Sequence, residues 1–279
     1  MRKIDLHIHT TASDGTVTPA GVAVLAHQLG LAAIAITDHD TAHGCREAAA
    51  RGAELGLEVV PGIEISTKFR TAVHILGYYI DPEAPLLQKV LDWVVNDRDE
   101  RNRKMAALMA ADGLPVRYED MQRRFGEVIG RPHFAEILVE LGLARDVKDA
   151  FARYVEKGEK YYVGRQFLSI EQSIELILSA GGVPVLAHPF QYKLDDAGLR
   201  ELIEHCLKSG LRGMECRYSG YTPEQSDYLE ALAEEYGLVK TGGSDFHGAV
   251  KPKIALGTGK GSLDVPYAFL EELKAVVGR

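Results

Sequence analysis

The chain has 279 residues, more than one average domain but a common size for a single α/β barrel with room for an insertion. With 46% hydrophobic and 26% charged residues, its composition excludes a fibrous or largely disordered protein. Its formal net charge of −8 argues against a protein that coats nucleic acid or an anionic membrane.

The first predicted strand covers residues 4–9 and carries two histidines. Because side chains alternate along a strand, Asp5, His7 and His9 share one of its faces. Two imidazoles at this spacing can hold one divalent ion together with carboxylate oxygens. Hydrogen-bonded histidines at a strand end give the same His-x-His pattern, so the motif alone is a weak indicator. Asp14, in the Ser-Asp-Gly turn that follows, is the nearest further ligand candidate.

Helices and buried strands then alternate, which indicates a βαβ arrangement. The predicted order is helix, strand, helix, strand, at residues 18–30, 31–40, 41–56 and 57–66. His39 lies at the end of the first of these strands, and Glu64 lies near the end of the second. Asp38 is predicted to hydrogen-bond to a metal ligand without binding the ion itself. Asp40 is predicted to cap the following helix.

The next connection departs from this pattern. Residues 67–71 are too few for a helix that crosses between parallel strands. The barrel is therefore predicted to be irregular at the fourth strand, which covers residues 72–79 and carries His74.

Residues 81–180 form a long passage in which the pattern is mainly helical. This passage predicts a small helical insertion domain at residues 98–165, with the metal-binding barrel formed by residues 1–97 and 166–279. Most arginines of the insertion are expected to be solvated, and one or two are expected to reach a ligand. These arginines are Arg98, Arg101, Arg103, Arg123, Arg124 and Arg131.

Strands and helices alternate again in the last third of the chain, with predicted strands at residues 182–189, 211–217 and 238–248. In a parallel barrel the carboxyl ends of the strands open on one face. Seven potential ligands lie at or just after predicted strand ends and are expected to gather there: His7, His9, His39, Glu64, His188, Asp245 and His247. The remaining histidines at helix or loop positions are predicted to be surface residues: His27, His43 and His205.

The three cysteines, Cys45, Cys206 and Cys216, are widely spaced and include no Cys-x-x-Cys pair. They are predicted to be reduced, buried thiols rather than part of a disulfide framework or a structural zinc site. No stretch approaches the roughly 20 apolar residues of a membrane helix, so no membrane partner is expected. The expected location is the cytoplasm.

Several short motifs together resemble the polymerase and histidinol phosphatase (PHP) family of metal-dependent phosphoesterases. They are the His-Ile-His strand, Thr-Asp-His-Asp, Gly-Ile-Glu, a later lone histidine, Ala-His-Pro and Ser-Asp-Phe-His, and they cover nearly the whole chain. The Ser-Asp-Gly turn at Asp14, the helical insertion and the Arg-Pro-His-Phe motif at Arg131 are similar to the stand-alone branch of the family. That branch includes 3′,5′-nucleoside bisphosphate phosphatases and 5′-to-3′ exoribonucleases.

The resemblance implies a distorted (β/α)7 barrel of the α/β class with two or three divalent metal ions. The first metal position would use His7, His9, Glu64 and Asp245. The second would use Glu64 as a bridge with His74 and His133, and the third would use Asp14, His39 and His247. Nitrogen and oxygen donors without thiolate suit manganese, iron(II) or zinc. Manganese is the expected ion.

The mechanism implied by such a centre is attack on phosphorus by a hydroxide held between metal ions. His188 is the candidate general acid, with a phosphate-binding or supporting histidine as the alternative. Arg131 is a candidate phosphate clamp, with a salt bridge at the helix start as the alternative. Arg165 and Tyr162 are weaker candidates for substrate contacts, and Glu215 is predicted to support a ligand by a hydrogen bond.

The leading function is therefore a phosphatase that acts on small nucleotides, either 3′,5′-bisphosphate nucleotides or the 5′ ends of short RNA. Large duplex nucleic acid is not an expected partner. A cyclic-phosphate phosphodiesterase and a histidinol-phosphate phosphatase are the nearest alternatives. An amidohydrolase-type enzyme is more remote, because a third metal position is superfluous for a neutral amide. A non-catalytic metal-binding module is disfavoured, since every candidate ligand position is retained.

Overall fold

The computed structural model describes residues 2–126 and 128–278. The chain forms two compact units, one built from Met1–Leu91 with Phe167–Arg279 and the other from Asp92–Gln166. We call them the barrel unit and the helical unit. The insertion predicted at residues 98–165 falls within the range of the helical unit. Across the described part of the chain, no helix is both long and apolar enough to cross a lipid bilayer.

The barrel unit contains a seven-stranded sheet whose spatial order follows the chain order. Its strands are β1 (Ile4–Asp5), β2 (Ala33–Ile36), β3 (Glu58–Lys68), β4 (Ala72–Tyr78), β5 (Val183–Leu186), β6 (Gly213–Tyr218) and β7 (Val239–Gly243). The sheet closes between its first and last strands, where the Leu6 N–H donates to the Gly242 carbonyl at 3.1 Å and the Asp245 N–H donates to the His7 carbonyl at 2.8 Å. The predicted distorted seven-stranded barrel is thereby confirmed.

The distortion lies at β4, which pairs antiparallel with both β3 and β5 while the other neighbouring strands pair parallel. The predicted irregularity at this strand is confirmed, and its cause is the short β3–β4 connection. Because β4 runs the opposite way, its first half lies beside the carboxyl end of β3, where Ser66 pairs with His74. An antiparallel strand thus brings a histidine to the same rim as the parallel strands.

Ten α-helices lie in the described residues. They are α1 (Pro19–Gln28), α2 (Gly44–Leu55), α3 (Pro85–Ala111), α4 (Tyr118–Phe125), α5 (Arg131–Glu140), α6 (Val147–Ala150), α7 (Ile170–Ser179), α8 (Asp196–Lys208), α9 (Pro223–Glu235) and α10 (Tyr267–Val276). A π-helical segment, Phe151–Val155, follows α6. Each unit has its own apolar core. Ile4, Leu76 and Val185 are buried in the barrel unit, and Met105 and Phe134 are buried in the helical unit.

One predicted helix cap is wrong. The residue before the first turn of α2 is His43 rather than Asp40, because three residues separate Asp40 from the helix start at Gly44. The Oδ1 atom of Asp40 instead accepts a hydrogen bond from the Ser66 N–H at 2.9 Å. Asp40 therefore joins the end of β2 to β3, close to the candidate ligands.

Candidate metal centre

The Glu64 carboxylate lies at the centre of the candidate site and is almost fully buried. Its Oε2 atom is 3.1–3.3 Å from ring nitrogens of His7, His9 and His39. Its Oε1 atom is 2.9 Å from the Nδ1 atom of His74 and the Nε2 atom of His188. One carboxylate from β3 thus faces five imidazoles, which come from residues after β1, β2 and β5 and from β4 itself.

His7, His9 and Asp245 form a first group, with potential ligand atoms all within 4.8 Å of one another. The Oδ1 atom of Asp245 is 3.8 Å from the Nε2 atom of His7 and 3.4 Å from that of His9. Since Glu64 also faces both rings, the structure brings together the four residues of the first metal position.

A second group combines His9, Asp14, His39 and His247. The Oδ1 atom of Asp14 is 3.4 Å from the Nε2 atom of His247 and 3.7 Å from the Nδ1 atom of His9. The three residues of the third metal position therefore meet, and His9 joins them.

Two of the residues implied for the remaining metal position, Glu64 and His74, lie together in the barrel unit. His39, Glu64 and His74 form one group, and His7, Glu64 and His188 form another. His133 belongs to the helical unit, where its Nδ1 atom accepts a hydrogen bond from the Gly130 N–H at 3.0 Å. A neutral ring that accepts through Nδ1 carries its proton on Nε2. The ligand role of His133 stays a prediction.

Several imidazole nitrogens in this cluster are buried without a hydrogen-bond partner among the described residues. They are Nε2 of His7, both ring nitrogens of His9, Nδ1 of His39 and Nδ1 of His188. A buried polar atom left unpaired costs about 1–3 kcal/mol, so such a concentration requires an explanation. Divalent cations accept neutral ring nitrogens beside carboxylate oxygens. The residues of the cluster therefore fit a centre that holds divalent metal ions.

Hydrogen bonds outside the cluster fix the orientation of the rings. The Nδ1–H of His7 donates to Glu215 at 2.9 Å, which directs Nε2 toward Glu64. The other oxygen of Glu215 accepts from the His188 backbone N–H at 2.7 Å. Glu215 thus makes the predicted hydrogen bond to a candidate ligand. His247 similarly donates through Nδ1 to the Asp245 backbone carbonyl at 2.9 Å, which directs its Nε2 toward Asp14.

The turn that carries Asp14 is held by Asp38. The Asp38 carboxylate accepts hydrogen bonds from the Thr10 N–H at 2.7 Å, from the Thr10 hydroxyl at 2.8 Å and from the Ser13 hydroxyl at 2.6 Å. Asp38 therefore fixes the backbone next to Asp14 and so supports this candidate ligand without facing the cluster itself. Sequence reasoning missed Thr10 and Ser13, although both lie in the short segment between the His-x-His motif and Asp14.

The charges of the cluster suit cations. Burial lowers the pKa of His39 to about 3, so this ring is neutral and free to bind a metal ion. Burial opposes ionisation of Glu64, but the histidine rings that face it outweigh this effect and hold the pKa of this carboxyl well below its usual range. Burial also opposes the charged form of His9, yet the nearby carboxylates of Asp245 and Glu64 raise its pKa to about 9. An ion bound to His9 must displace that proton.

Two candidate site residues have positive backbone φ angles, +24° at His188 and +58° at Asp245. For residues other than glycine such conformations cost roughly 1–3 kcal/mol and occur mostly at functional sites. Both residues lie just after barrel strands, β5 and β7. The turns that follow these strands therefore carry strain while they direct His188 and Asp245 into the cluster.

The helical unit carries a separate concentration of positive charge. Arg98 and Arg101 are only 5% and 7% exposed. Burial and the nearby Arg165, Arg131 and Arg98 lower the pKa of Arg101 to about 10. The Arg131 guanidinium lies over the Phe151 and Tyr162 rings, at 5.6 and 5.8 Å from their centroids. The sequence suggested Arg131 and Arg165 individually but gave no sign that they approach Arg101.

Comparison with known proteins adds independent findings. The PHP domain family matches residues 5–248. A 3′,5′-nucleoside bisphosphate phosphatase from Chromobacterium violaceum is 36% identical over 250 residues, which cover 88% of each chain. The 5′-3′ exoribonuclease Rnm from Escherichia coli is 38% identical over 248 residues, 87% of this chain and 84% of that protein. A phosphoribosyl 1,2-cyclic phosphate 1,2-diphosphodiesterase from Eggerthella lenta is 29% identical over 253 residues, 88% of this chain and 94% of that one.

Two solved structures have similar folds. A proposed metal-dependent phosphoesterase from Bifidobacterium adolescentis superposes with a TM-score of 0.82 at 32% identity, over 100% of this chain and 99% of that one. A protein from Chromobacterium violaceum described as an amidohydrolase, with bound sulfate, superposes with a TM-score of 0.83 at 34% identity, over 98% of this chain and 96% of that one.

Proposed function

This chain belongs to the PHP domain family and is a metal-dependent phosphoesterase, and from that premise we propose that it hydrolyses phosphate esters of small nucleotides. The observation that supports this most is the Glu64 carboxylate that faces five histidine rings, several with buried and unpartnered nitrogens. The preferred substrate we propose is a 3′,5′-bisphosphate nucleotide or the 5′ end of a short RNA.

We propose that the centre holds two or three Mn²⁺ ions when active. Bound divalent ions supply positive charge to phosphate oxygens and lower the pKa of water toward neutrality. The chain's own contribution is to orient the ligands, through Glu215 at His7 and through Asp38 at the turn that carries Asp14. Glu64 is the bridging ligand in this proposal, because both of its oxygens face imidazole nitrogens.

The role of His188 needs revision within this proposal. Its Nε2 atom lies 2.9 Å from Glu64, in a group that also includes His7. This geometry supports His188 as a metal ligand, in competition with the general-acid role inferred from the sequence. A ligand cannot donate a proton from the nitrogen that binds the ion, so the two roles exclude each other at Nε2.

Selection of a phosphorylated substrate is proposed to use the arginines of the helical unit. Burial, together with the nearby Arg165, Arg131 and Arg98, lowers the pKa of Arg101 to about 10. Guanidinium groups bind phosphate bidentately, and a bound phosphate would relieve the repulsion among them. The names of the relatives from Chromobacterium violaceum and Escherichia coli point to substrates of this class.

The test is a panel of phosphate esters, with Mn²⁺ added back after chelation. It includes adenosine 3′,5′-bisphosphate, short 5′-phosphorylated RNA, a cyclic phosphate and histidinol phosphate, with released inorganic phosphate and mononucleotides measured separately. We expect Mn²⁺-dependent hydrolysis, fastest for the first two substrates. Hydrolysis of none of them would contradict the proposal. A preference for the cyclic phosphate would favour the second candidate function, which the relative from Eggerthella lenta suggests.

Recognition by the arginines is tested with Arg101→Met. We expect the KM for adenosine 3′,5′-bisphosphate to rise by roughly 10-fold or more, because charge-assisted hydrogen bonds contribute about 1.5–3 kcal/mol. The matched control is Arg103→Met, since the Arg103 side chain is 53% exposed and paired with Glu119 at 2.7 Å. Equal effects of both substitutions would contradict a specific phosphate contact.

A further inference from the structure

The two carboxylate oxygens of Asp245 have different environments. Oδ1 faces the cluster, 3.4 Å from the Nε2 atom of His9 and 3.8 Å from that of His7. Oδ2 faces away from these rings and has two close partners. The Tyr218 hydroxyl donates to it at 2.6 Å, and the Lys251 ammonium donates to it at 2.7 Å.

Two hydrogen bonds occupy the lone pairs of one carboxylate oxygen, because such an oxygen has about two acceptor sites. Asp245 is only 5% exposed, so water has little access to take over either contact. The backbone of Asp245 is also held in the left-handed region, with φ at +58°, which fixes the direction from which the side chain enters the cluster. Oδ1 is thus the oxygen of Asp245 that remains open to an ion.

We propose that Tyr218 is a positioning residue that restricts Asp245 to metal binding through Oδ1 alone. The Tyr218 ring is well placed for this task, since it packs against the His188 ring at 5.5 Å and the Tyr221 ring at 5.2 Å between centroids. Lys251 supplies the second donor from a more exposed side chain. A carboxylate that binds through one oxygen leaves coordination positions open for water and for phosphate oxygens. Sequence reasoning missed both residues.

This inference rests on the proposed metal centre but not on any substrate, so it is tested by metal binding. We expect Tyr218→Phe to raise the dissociation constant of one Mn²⁺ equivalent by about 10- to 100-fold, as measured by equilibrium dialysis with elemental analysis. Activity lost at limiting Mn²⁺ should recover when Mn²⁺ is raised. An unchanged dissociation constant in a folded variant would overturn the proposal. A wild-type protein that bound no Mn²⁺ would instead contradict the metal centre itself.

Tyr221→Phe is the matched control. Its hydroxyl accepts a hydrogen bond from the Phe190 N–H at 3.1 Å, and its ring touches Tyr218. We expect this variant to bind Mn²⁺ like the wild type. An equal loss in both variants would show that any disturbance of the aromatic rings weakens the metal centre, which would overturn a specific role for the Tyr218 hydroxyl.

Lys251→Met provides a second variant, at a position whose side chain is 36% exposed. Removing a positive charge near bound cations would tighten Mn²⁺ binding by electrostatics alone. Removing a donor that holds Oδ2 would weaken it. We expect weaker binding than in Lys253→Met, a variant of an exposed lysine on the same loop. Tighter binding in Lys251→Met would overturn the positioning of Asp245 through its Oδ2 atom.

Discussion

Glu64 and its neighbours illustrate how few residues define the chemistry of this protein. The two oxygens of one buried carboxylate approach five imidazoles at 2.9–3.3 Å. Without a cation, these rings would be packed together with unsatisfied nitrogens at a considerable cost in free energy. Each group in the cluster therefore depends on the ions that the others help to bind.

Replacement of Glu64 by alanine removes the ligand shared by these groups. We expect Glu64→Ala to lower kcat by at least about 100-fold and to reduce the number of Mn²⁺ ions that copurify or rebind. The reason is that loss of a residue that only hydrogen-bonds to a metal ligand already lowers metal affinity or activity by about 10- to 100-fold. Asp245→Ala should behave alike. The control is His205→Ala, since His205 pairs with Glu171 on the outside of the barrel at 2.8 Å. Full metal content in Glu64→Ala would contradict the bridging role.

His188 is the residue for which geometry and sequence favour different roles. If it is a ligand, His188→Ala should lose about one equivalent of bound Mn²⁺ or bind it at least roughly 10-fold more weakly. Elemental analysis after gel filtration measures this directly. If His188 is instead the general acid, the variant should keep its full metal content and lose the basic limb of its pH–rate profile. The second result would contradict our assignment.

At the scale of secondary-structure elements, the strands place the candidate ligands at one rim of the barrel. Glu215 shows the connection most clearly, because this buried residue of β6 accepts hydrogen bonds from His7 after β1 and from the backbone of His188 after β5. One carboxylate therefore links three segments of the barrel. The same residue orients one ring of the metal centre.

Glu215→Gln tests this connection with little change in shape. One of its two oxygens becomes an amide group that faces an N–H donor, so we expect a loss of about 1–3 kcal/mol in the free energy of unfolding. We also expect metal binding to weaken by roughly 10- to 100-fold. Denaturant unfolding and Mn²⁺ titration measure the two effects. Glu230→Gln is the control, since Glu230 pairs with Arg217 at 2.7 Å instead of a candidate ligand. Similar results for both variants would contradict this role of Glu215.

For the whole molecule, the buried and unpartnered nitrogens imply that bound ions stabilise the folded barrel unit. A ligand present at 100 times its dissociation constant adds about 2.7 kcal/mol per site. We therefore expect chelation to lower the Tm by several degrees and added Mn²⁺ to restore it, as measured by calorimetry. Glu64→Ala should lack this Mn²⁺-dependent shift. A wild-type Tm that is independent of chelator would contradict stabilisation of the fold by the metal centre.

The rim and its candidate ligands could be predicted from the sequence because strand alternation and strand ends place side chains without knowledge of distances. His7, Glu64 and Asp245 are examples. The direction of β4 could not be derived, since a short connection indicates irregularity but not its form. Contacts such as Tyr218 with Asp245 depend on side-chain reach between β6 and the segment after β7, which periodicity does not encode. The convergence of Arg101 and Arg165 was hidden for the same reason.

The antiparallel pairing of β4 with β5 has an evolutionary consequence. Leu76 pairs with Val185 directly, although the whole helical unit lies between them in the chain. The barrel therefore contains all seven of its strands without the helical unit, which is inserted in the chain between β4 and β5. Such a junction between β4 and β5 allows a lineage to exchange or remodel the inserted segment while it inherits the candidate ligands of the barrel unit unchanged. Recombination at this junction offers a way to change which esters are hydrolysed while the metal centre stays the same.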